Sequence, residues 1–373
     1  MTAPLRVLVT ADAVGGVWNY SVDLARGLAR LAIETVLVVT GPSPSPAQRQ
    51  AARAIAGLRL IETGEALDWL APDAETLVQT GEAVARLAAE HQADIVQLNA
   101  PALAASVVYP VPVIAVAHSC LATWWDQVKG DEPMPEEFAW RTALTKAGLC
   151  AADLVVAPSH AFGALVQQRY ALPSPPKIVH NGRSRPGAQP QAPHDFIFTS
   201  GRLWDEGKNL RTLDAAAAHI GVPVHAAGPL KGPHGEEVRF EHLNTLGNLE
   251  EAELDRWLSA RPVFASAALY EPFGLAVLEA AAAGCPLVLA DTSTFRELWG
   301  EVALFVDPTD PAAFARVCND LVGDDFERAV MGRAARERAA TFTPDAMAAQ
   351  MASIYRTLLP AVRRPVLAAR AAA

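Results

Sequence analysis

Apolar and polar positions follow two rhythms along this chain, and the rhythms take turns. Continuous apolar, β-rich runs stand at 7–10, 36–40, 58–61, 95–98, 113–117, 154–157 and 178–180. Between them, apolar residues recur at three- and four-residue spacing over 18–31, 74–90, 138–151 and 162–170, which is the period of a helix face. Strands apolar on both faces and separated by helices predict a parallel sheet covered on both sides. Residues 181–193, rich in Gly, Pro and polar side chains, read as a linker. The alternation then restarts, with strands at 196–200, 222–226, 242–246, 263–265, 287–290 and 303–306. Helices are expected at 210–219, 250–258, 276–284, 312–322 and 326–340. Each half thus predicts a doubly wound α/β domain, the first over 1–183 and the second over 194–342, with 343–373 as a closing helix laid back across the first.

Composition narrows the function classes. A length of 373 residues suits two or three domains, and 51% hydrophobic content supplies a core for each. The net charge of -10 argues against general nucleic-acid binding. Residues 1–180 carry no basic excess, so peripheral membrane contact has no support from charge. Cys120, Cys150, Cys285 and Cys318 form no Cys-x-x-Cys pair and have apolar neighbours, so buried reduced thiols and a cytoplasmic setting are expected. Residues 1–4 lead straight into a strand, so no signal peptide is expected, and no apolar run reaches the ~18 residues of a membrane span.

The candidate chemistry is densest at 270–279, Tyr-Glu-Pro-Phe-Gly-Leu-Ala-Val-Leu-Glu. The order strand, tight loop, helix start puts backbone N–H groups at the positive end of a helix dipole, where an anion is welcome. Glu271 falls in the loop, and Glu279 about two turns into an apolar helix, where a buried carboxylate needs partners. Arg202 and Lys208 bracket another strand-to-helix loop; a guanidinium fork and an ammonium there suit a diphosphate, although a solvated charged loop has the same composition. Gly15-Gly16 opens the first helix, where backbone can approach a phosphate or a sugar hydroxyl, or simply turn from strand to helix. The run is not Gly-x-Gly-x-x-Gly, which leaves a nicotinamide cofactor without support. His118 follows an apolar strand, where α/β sheets place ligands; capping a loop carbonyl is the plainer alternative. Trp124 and Trp125 fall in a predicted loop and suit either stacking on an acceptor or anchoring that loop. His219, His225, His234 and His242 show no metal-ligand spacing, so no metal is expected. No Gly-x-Ser-x-Gly or P-loop motif is present.

Taken in order, these residues resemble the retaining glycosyltransferases of the GT-B fold, family 4. The resemblance rests on Gly15-Gly16, His118, Asn181-Gly182, Gly201-Arg202 with Lys208, the Tyr270–Leu275 run with Glu279, and Val306-Asp307-Pro308. It implies two facing Rossmann-like domains with a central cleft, the second holding a nucleotide-sugar donor and the first the acceptor. Carried over, Glu271 would bind donor-sugar hydroxyls and Glu279 the ribose. Arg202 and Lys208 would neutralise the diphosphate. Phe273, Gly274 and Leu275 would offer backbone amides, and Gly16 would approach the phosphate. His118 would contact the donor sugar, while Gly247, Asn248 and Leu249 would line the base. The implied activity is metal-independent transfer of a hexose, from a UDP-glucose-like donor by default, to a glycan, glycolipid or small metabolite. A GT-B sugar-nucleotide epimerase and a non-catalytic binding subunit are the alternatives. Three places depart from the family pattern: six positions separate Arg202 from Lys208, Arg183-Ser184 follow Asn181-Gly182, and 293–297 lacks a glycine-rich turn before Glu297.

Overall fold

A computed structural model describes residues 4–183, 194–233 and 235–370. Most of the expected linker, 184–193, and His234 lie outside the described residues. The chain divides into two compact units. Residues up to 125, 131–183 and those from 343 onward make one; 126–130 and the stretch up to 342 make the other.

The first unit is one parallel sheet. Its strands are β1 (Arg6–Asp12), β2 (Glu34–Thr40), β3 (Leu58–Glu62), β4 (Ile95–Leu98), β5 (Val113–Val116), β6 (Leu154–Ala157) and β7 (Lys177–Ile178). Their spatial order is β3-β2-β1-β4-β5-β6-β7. β4 and β5 are buried along their whole length; β5 accordingly reads as an unbroken apolar run, and β4 is apolar apart from Gln97. The helices are α1 (Gly16–Arg30), α2 (Pro46–Arg53), α3 (Ala74–Glu90), α4 (Leu121–Val128), α5 (Ala139–Ala151) and α6 (His160–Tyr170).

The second unit is also parallel, from β8 (Ile197–Ser200), β9 (Val224–Ala227), β10 (Asn244–Gly247), β11 (Val263–Ser266), β12 (Leu287–Ala290) and β13 (Ala303–Val306). Their order is β10-β9-β8-β11-β12-β13. Its helices are α7 (Leu210–Ala217), α8 (Glu251–Ser259), α9 (Leu275–Ala283), α10 (Ser293–Trp299), α11 (Pro311–Val322) and α12 (Asp325–Ala339). Each unit is therefore a doubly wound α/β domain, as the alternation predicts. Strand order reverses between β1 and β4 in one sheet and between β8 and β11 in the other. Those switch points open a crevice at the carboxyl ends of the strands.

The last helix, α13 (Pro344–Arg370), belongs to the first unit. Met347, Ala348, Met351, Ala352 and Tyr355 lie on one face and are buried in the same core as Trp18, Leu24 and Leu28 of α1. Among the described residues no helix is long and apolar enough to cross a membrane.

Three elements escape the hydrophobic pattern. α2 buries only Ala52 and is defined by a capping box, Ser45 with Gln48, so it has no apolar stripe to read. α10 is seven residues long and capped by the Thr292 side chain. Trp124 and Trp125 lie on α4 and not in a loop. The expectation of four buried thiols also fails. All four are free, but only Cys285 and Cys318 are buried; Cys120 is half-buried and Cys150 exposed. α5 buries just Gly148 and Leu149, and the next position, about 100° further round the helix, turns outward.

Candidate active site

In the second unit Arg202, Lys208 and Glu271 gather at the β8/β11 switch point, whereas Asn248 and Leu249 follow β10 at the sheet edge. After β8 the chain makes a compact turn. Asp205 N donates to Arg202 O at 3.1 Å, Lys208 N to Asp205 O at 2.9 Å, and Asn209 N to Glu206 O at 3.0 Å. These i→i+3 bonds accommodate the six-position spacing between Arg202 and Lys208. Asp205, buried, holds the turn from within: one carboxylate oxygen accepts from Gly207 N at 2.9 Å and the other from Arg202 Nη2 at 2.7 Å. The Arg202 side chain is 53% exposed, with its guanidinium carbon 5.7 Å from the Trp204 ring centroid.

This turn is stitched to the loop after β11. Gly207 O accepts from Leu269 N at 2.9 Å and from Tyr270 N at 3.2 Å. Asn209 Nδ2 donates to Ala267 O at 3.0 Å and to Pro308 O at 2.8 Å. The stitching brings Lys208 Nζ to 2.5 Å from Glu271 Oε2, with 18% and 16% of the two side chains exposed. Two residues expected to serve donor phosphate and donor sugar separately are thus each other's partners.

Pro272, Phe273 and Gly274 are buried beyond Glu271. Gly274 is the N-cap of α9, with φ 92° and ψ 64°, a left-handed conformation that favours glycine. No side chain caps this helix, so its first amides, Leu275 among them, start next to the ion pair. Glu279, 8% exposed among buried Val277, Leu278, Ala280 and Ala281, is the fifth residue of α9, nearer its start than the expected two turns. Asn248, exposed, and Leu249, half-buried, follow the end of β10.

Gly228 is missing from the set read off the sequence. A Cβ there would stand 1.7 Å from Gly201 O, so the ends of β8 and β9 approach as only glycine allows. Gly228 N also donates to Gly247 O at 2.7 Å. The signal was a glycine ending an otherwise apolar strand.

The first unit builds a second set at its own β1/β4 switch point. Asp12 Oδ1 accepts from Val14 N at 2.9 Å and from Gly15 N at 3.2 Å, folding the turn that exposes Gly15 and Gly16 at the start of α1. No side chain caps α1 either. His118 lies just past β5, half-buried, with its Nε2 3.1 Å from Asn99 Oδ1 and its ring edge-on to Tyr20 at 4.3 Å. Burial pushes its pKa down to about 3, so the ring is neutral near pH 7. Asn99, just past β4, went unread, as did Gln97 within it; their signal was polar residues at the end of an apolar strand.

Trp124 and Trp125 stand with ring centroids 6.2 Å apart. The Trp125 indole N–H donates to Glu132 O at 2.7 Å, and its ring lies 6.1 Å from Phe138, so this tryptophan anchors the loop that follows α4. Among the described residues no three His, Cys, Asp or Glu side chains come together as a metal site requires.

Comparison with known proteins covers both halves. Residues 14–184 match Glycosyltransferase Family 4, and residues 194–338 match Glycosyl transferases group 1. The D-inositol 3-phosphate glycosyltransferase of Streptomyces avermitilis is 31% identical over 216 residues, covering 54% of this chain and 44% of that protein. The protein of the same description from Streptomyces scabiei is 27% identical over 297 residues, 68% of this chain and 64% of its own length. In both cases the match spans less than two thirds of the relative. Sucrose-phosphate synthase from Thermosynechococcus elongatus superposes with a TM-score of 0.76 at 21% identity, over 96% of this chain and 100% of that one. Anabaena HepE, solved in complex with UDP-glucose, gives a TM-score of 0.70 at 19% identity, over 95% of this chain and 100% of that one. At these identities the two structures establish the GT-B fold alone.

Proposed function

The chain belongs to the glycosyltransferases of family 4 and group 1, and on that premise we propose that it transfers a hexose from a nucleotide sugar to an acceptor hydroxyl, with retention and without a metal. The observation that carries this reading is the Lys208–Glu271 pair, set on stitched loops between the Arg202 fork and the uncapped start of α9. The pair is a composite reader. Glu271 Oε2 is held by Lys208, which leaves Oε1 to accept from a sugar hydroxyl. An ammonium has three protons, so Lys208 keeps donors for a phosphoryl oxygen beside that sugar.

When the glycosidic bond to the diphosphate breaks, negative charge grows on the leaving oxygen. Arg202, Lys208 and the first amides of α9 are charges and dipoles fixed before the reaction, so they stabilise that charge without reorganising. Glu279, on the same short helix as the amides that follow Gly274, is assigned to the ribose hydroxyls, for which a carboxylate is an acceptor. No side chain is assigned as nucleophile. The acceptor enters on the face the leaving group vacates, with diphosphate oxygen taking the hydroxyl proton, which gives retention. Asn248 and Leu249 are assigned to the base, Gly15 and Gly16 to the phosphate, and Trp124 to the acceptor side.

A UDP-glucose-like donor is proposed because a structural neighbour was solved with UDP-glucose. Relatives described as D-inositol 3-phosphate glycosyltransferases make a phosphorylated polyol the first acceptor to try. The test is a panel of UDP-, GDP- and ADP-sugars with inositol phosphates, glycans and glycolipids, with the product anomer read by NMR. Transfer from one donor with its anomeric configuration kept is the expected result. Undiminished turnover in Arg202→Ala, Lys208→Ala and Glu271→Ala would overturn it, as would conversion of the nucleotide sugar itself in acceptor-free buffer.

A further inference from the structure

His118 ends a buried relay of hydrogen bonds whose direction is forced. Thr10 O lies 2.7 Å from one terminal atom of the Asn99 side chain. A backbone carbonyl only accepts, so that atom is the Asn99 amide nitrogen, which also donates to Ser21 Oγ at 3.0 Å. The other terminal atom is therefore the oxygen, an acceptor, and it faces His118 Nε2 at 3.1 Å. The same oxygen lies 3.1 Å from Gln97, which must present its NH₂ there. Gln97 Nε2 also donates to the Tyr20 hydroxyl at 3.2 Å, and Gln97 Oε1 accepts from the Tyr355 hydroxyl at 2.5 Å. Burial pushes both phenols well above their ordinary pKa, so each keeps its proton. Gln97 and Tyr355 are fully buried and Asn99 is 9% exposed.

We propose that Asn99 is the positioning residue of the site: it holds His118 as the Nε2–H tautomer and leaves Nδ1 as the ring's one remaining hydrogen-bonding atom, an acceptor. The tautomer of a histidine is set by the bond its other nitrogen makes. His118 then reads a group that donates, a hydroxyl of the sugar or of the acceptor, and not a phosphoryl oxygen. Tyr355 on α13 fixes Gln97, Gln97 fixes Asn99, and the closing helix thereby sets the orientation of a ring far from it in sequence. This inference rests on the contact of His118 with the donor sugar that the family resemblance implies.

The test uses the full chain labelled with ¹⁵N-histidine, with long-range ¹H–¹⁵N spectra assigned by the peak lost in His118→Gln. Wild type is expected to show a neutral Nε2–H ring. Asn99→Ala is expected to move both ring nitrogens toward tautomer averaging and to lower kcat about 10- to 100-fold, with the KM for donor changed less than about threefold. Tyr355→Phe, which removes one O–H from the core, is expected to act in the same direction by about threefold. An Nδ1–H ring in wild type, or unchanged ring nitrogens in both Asn99→Ala and Tyr355→Phe, would overturn the proposal. Full transfer by His118→Gln with the tautomer as expected would instead refute the donor-site role of His118 and leave the relay standing.

Discussion

The ammonium of Lys208 lies 2.5 Å from Glu271 Oε2, and the two residues are 63 positions apart in sequence. The contact exists because the turn after β8 is stitched, through Gly207 O and Asn209, to the loop after β11. A pair this shielded acts as one unit, so its losses are not additive. Lys208→Met and Glu271→Gln are each expected to lower kcat/KM about 100-fold or more, and the double variant about as much as the worse single. Steady-state rates in a double-mutant cycle decide this, and additive losses would show that the two groups work separately. Each single change also leaves a half-buried charge without its partner. A fall in thermal midpoint of a few degrees is expected, on the order of 1–2 kcal/mol after screening.

Arg202 offers a different test, because one of its terminal nitrogens is committed to Asp205 while the rest of the side chain is largely exposed. A guanidinium can hold Asp205 and a phosphoryl oxygen together; an ammonium on a longer search cannot do both with fixed geometry. Arg202→Lys is therefore expected to lose about 10-fold or more in kcat with little change in thermal midpoint, and Arg202→Ala about 100-fold with a fall of a few degrees, since buried Asp205 then loses the Arg202 guanidinium. Wild-type turnover in Arg202→Lys would show that charge alone suffices.

The alternation of apolar runs made both sheets legible, because strands such as β4 and β12 are covered on both faces and tolerate no polar rhythm. Arg202 and His118 stood out in the sequence because each lies two residues past a strand, and Glu271 because it lies in the loop after one, where such sheets bind ligands. The helical state of Trp124 and Trp125 was not, since α4 buries only Ala122 and Thr123 and carries no apolar stripe. The relay from Tyr355 to Asn99 was hidden for another reason. Tyr355 and Gln97 are 258 positions apart, and only the fold of α13 onto α1 joins them. Gly228 looked like any glycine at a strand end until the neighbouring carbonyl was in place.

Gly228 and Gly15 should behave oppositely when given a methyl group. A Cβ at Gly228 would meet Gly201 O at 1.7 Å, against backbone that cannot swing away, and its φ of 143° already disfavours other residues. Gly228→Ala is expected to cost about 3 kcal/mol or more through overpacking and backbone strain together. At Gly15, with φ -151°, nothing stands within 4 Å of the added carbon. Gly15→Ala should leave the thermal midpoint within about 0.5 kcal/mol of wild type, while raising the KM for donor where ligand fills that space. Equal midpoints for the two variants, read by differential scanning, would contradict the close approach of β8 and β9.

The neutral ring of His118 has a consequence for stability that pH can expose. In the unfolded chain a histidine titrates near 6.5, whereas burial holds this one down to about 3. Above pH 6.5 both states are neutral and the residue contributes no pH dependence. As pH falls through 6.5 the unfolded state takes up a proton that the native state refuses, and the native state loses ground by up to about 1.4 kcal/mol per pH unit. The loss levels off only near pH 3, where the native ring also protonates. His118→Gln removes the titration while keeping a side-chain donor for Asn99. His225, also pushed down by burial, titrates the same way in both proteins and cancels in the comparison. Thermal midpoints measured from pH 8 to pH 4.5 should therefore fall more steeply for wild type than for His118→Gln, with the two curves separating below pH 6.5. Parallel curves across that range would mean that the ring takes up its proton in the native state as readily as in the unfolded chain.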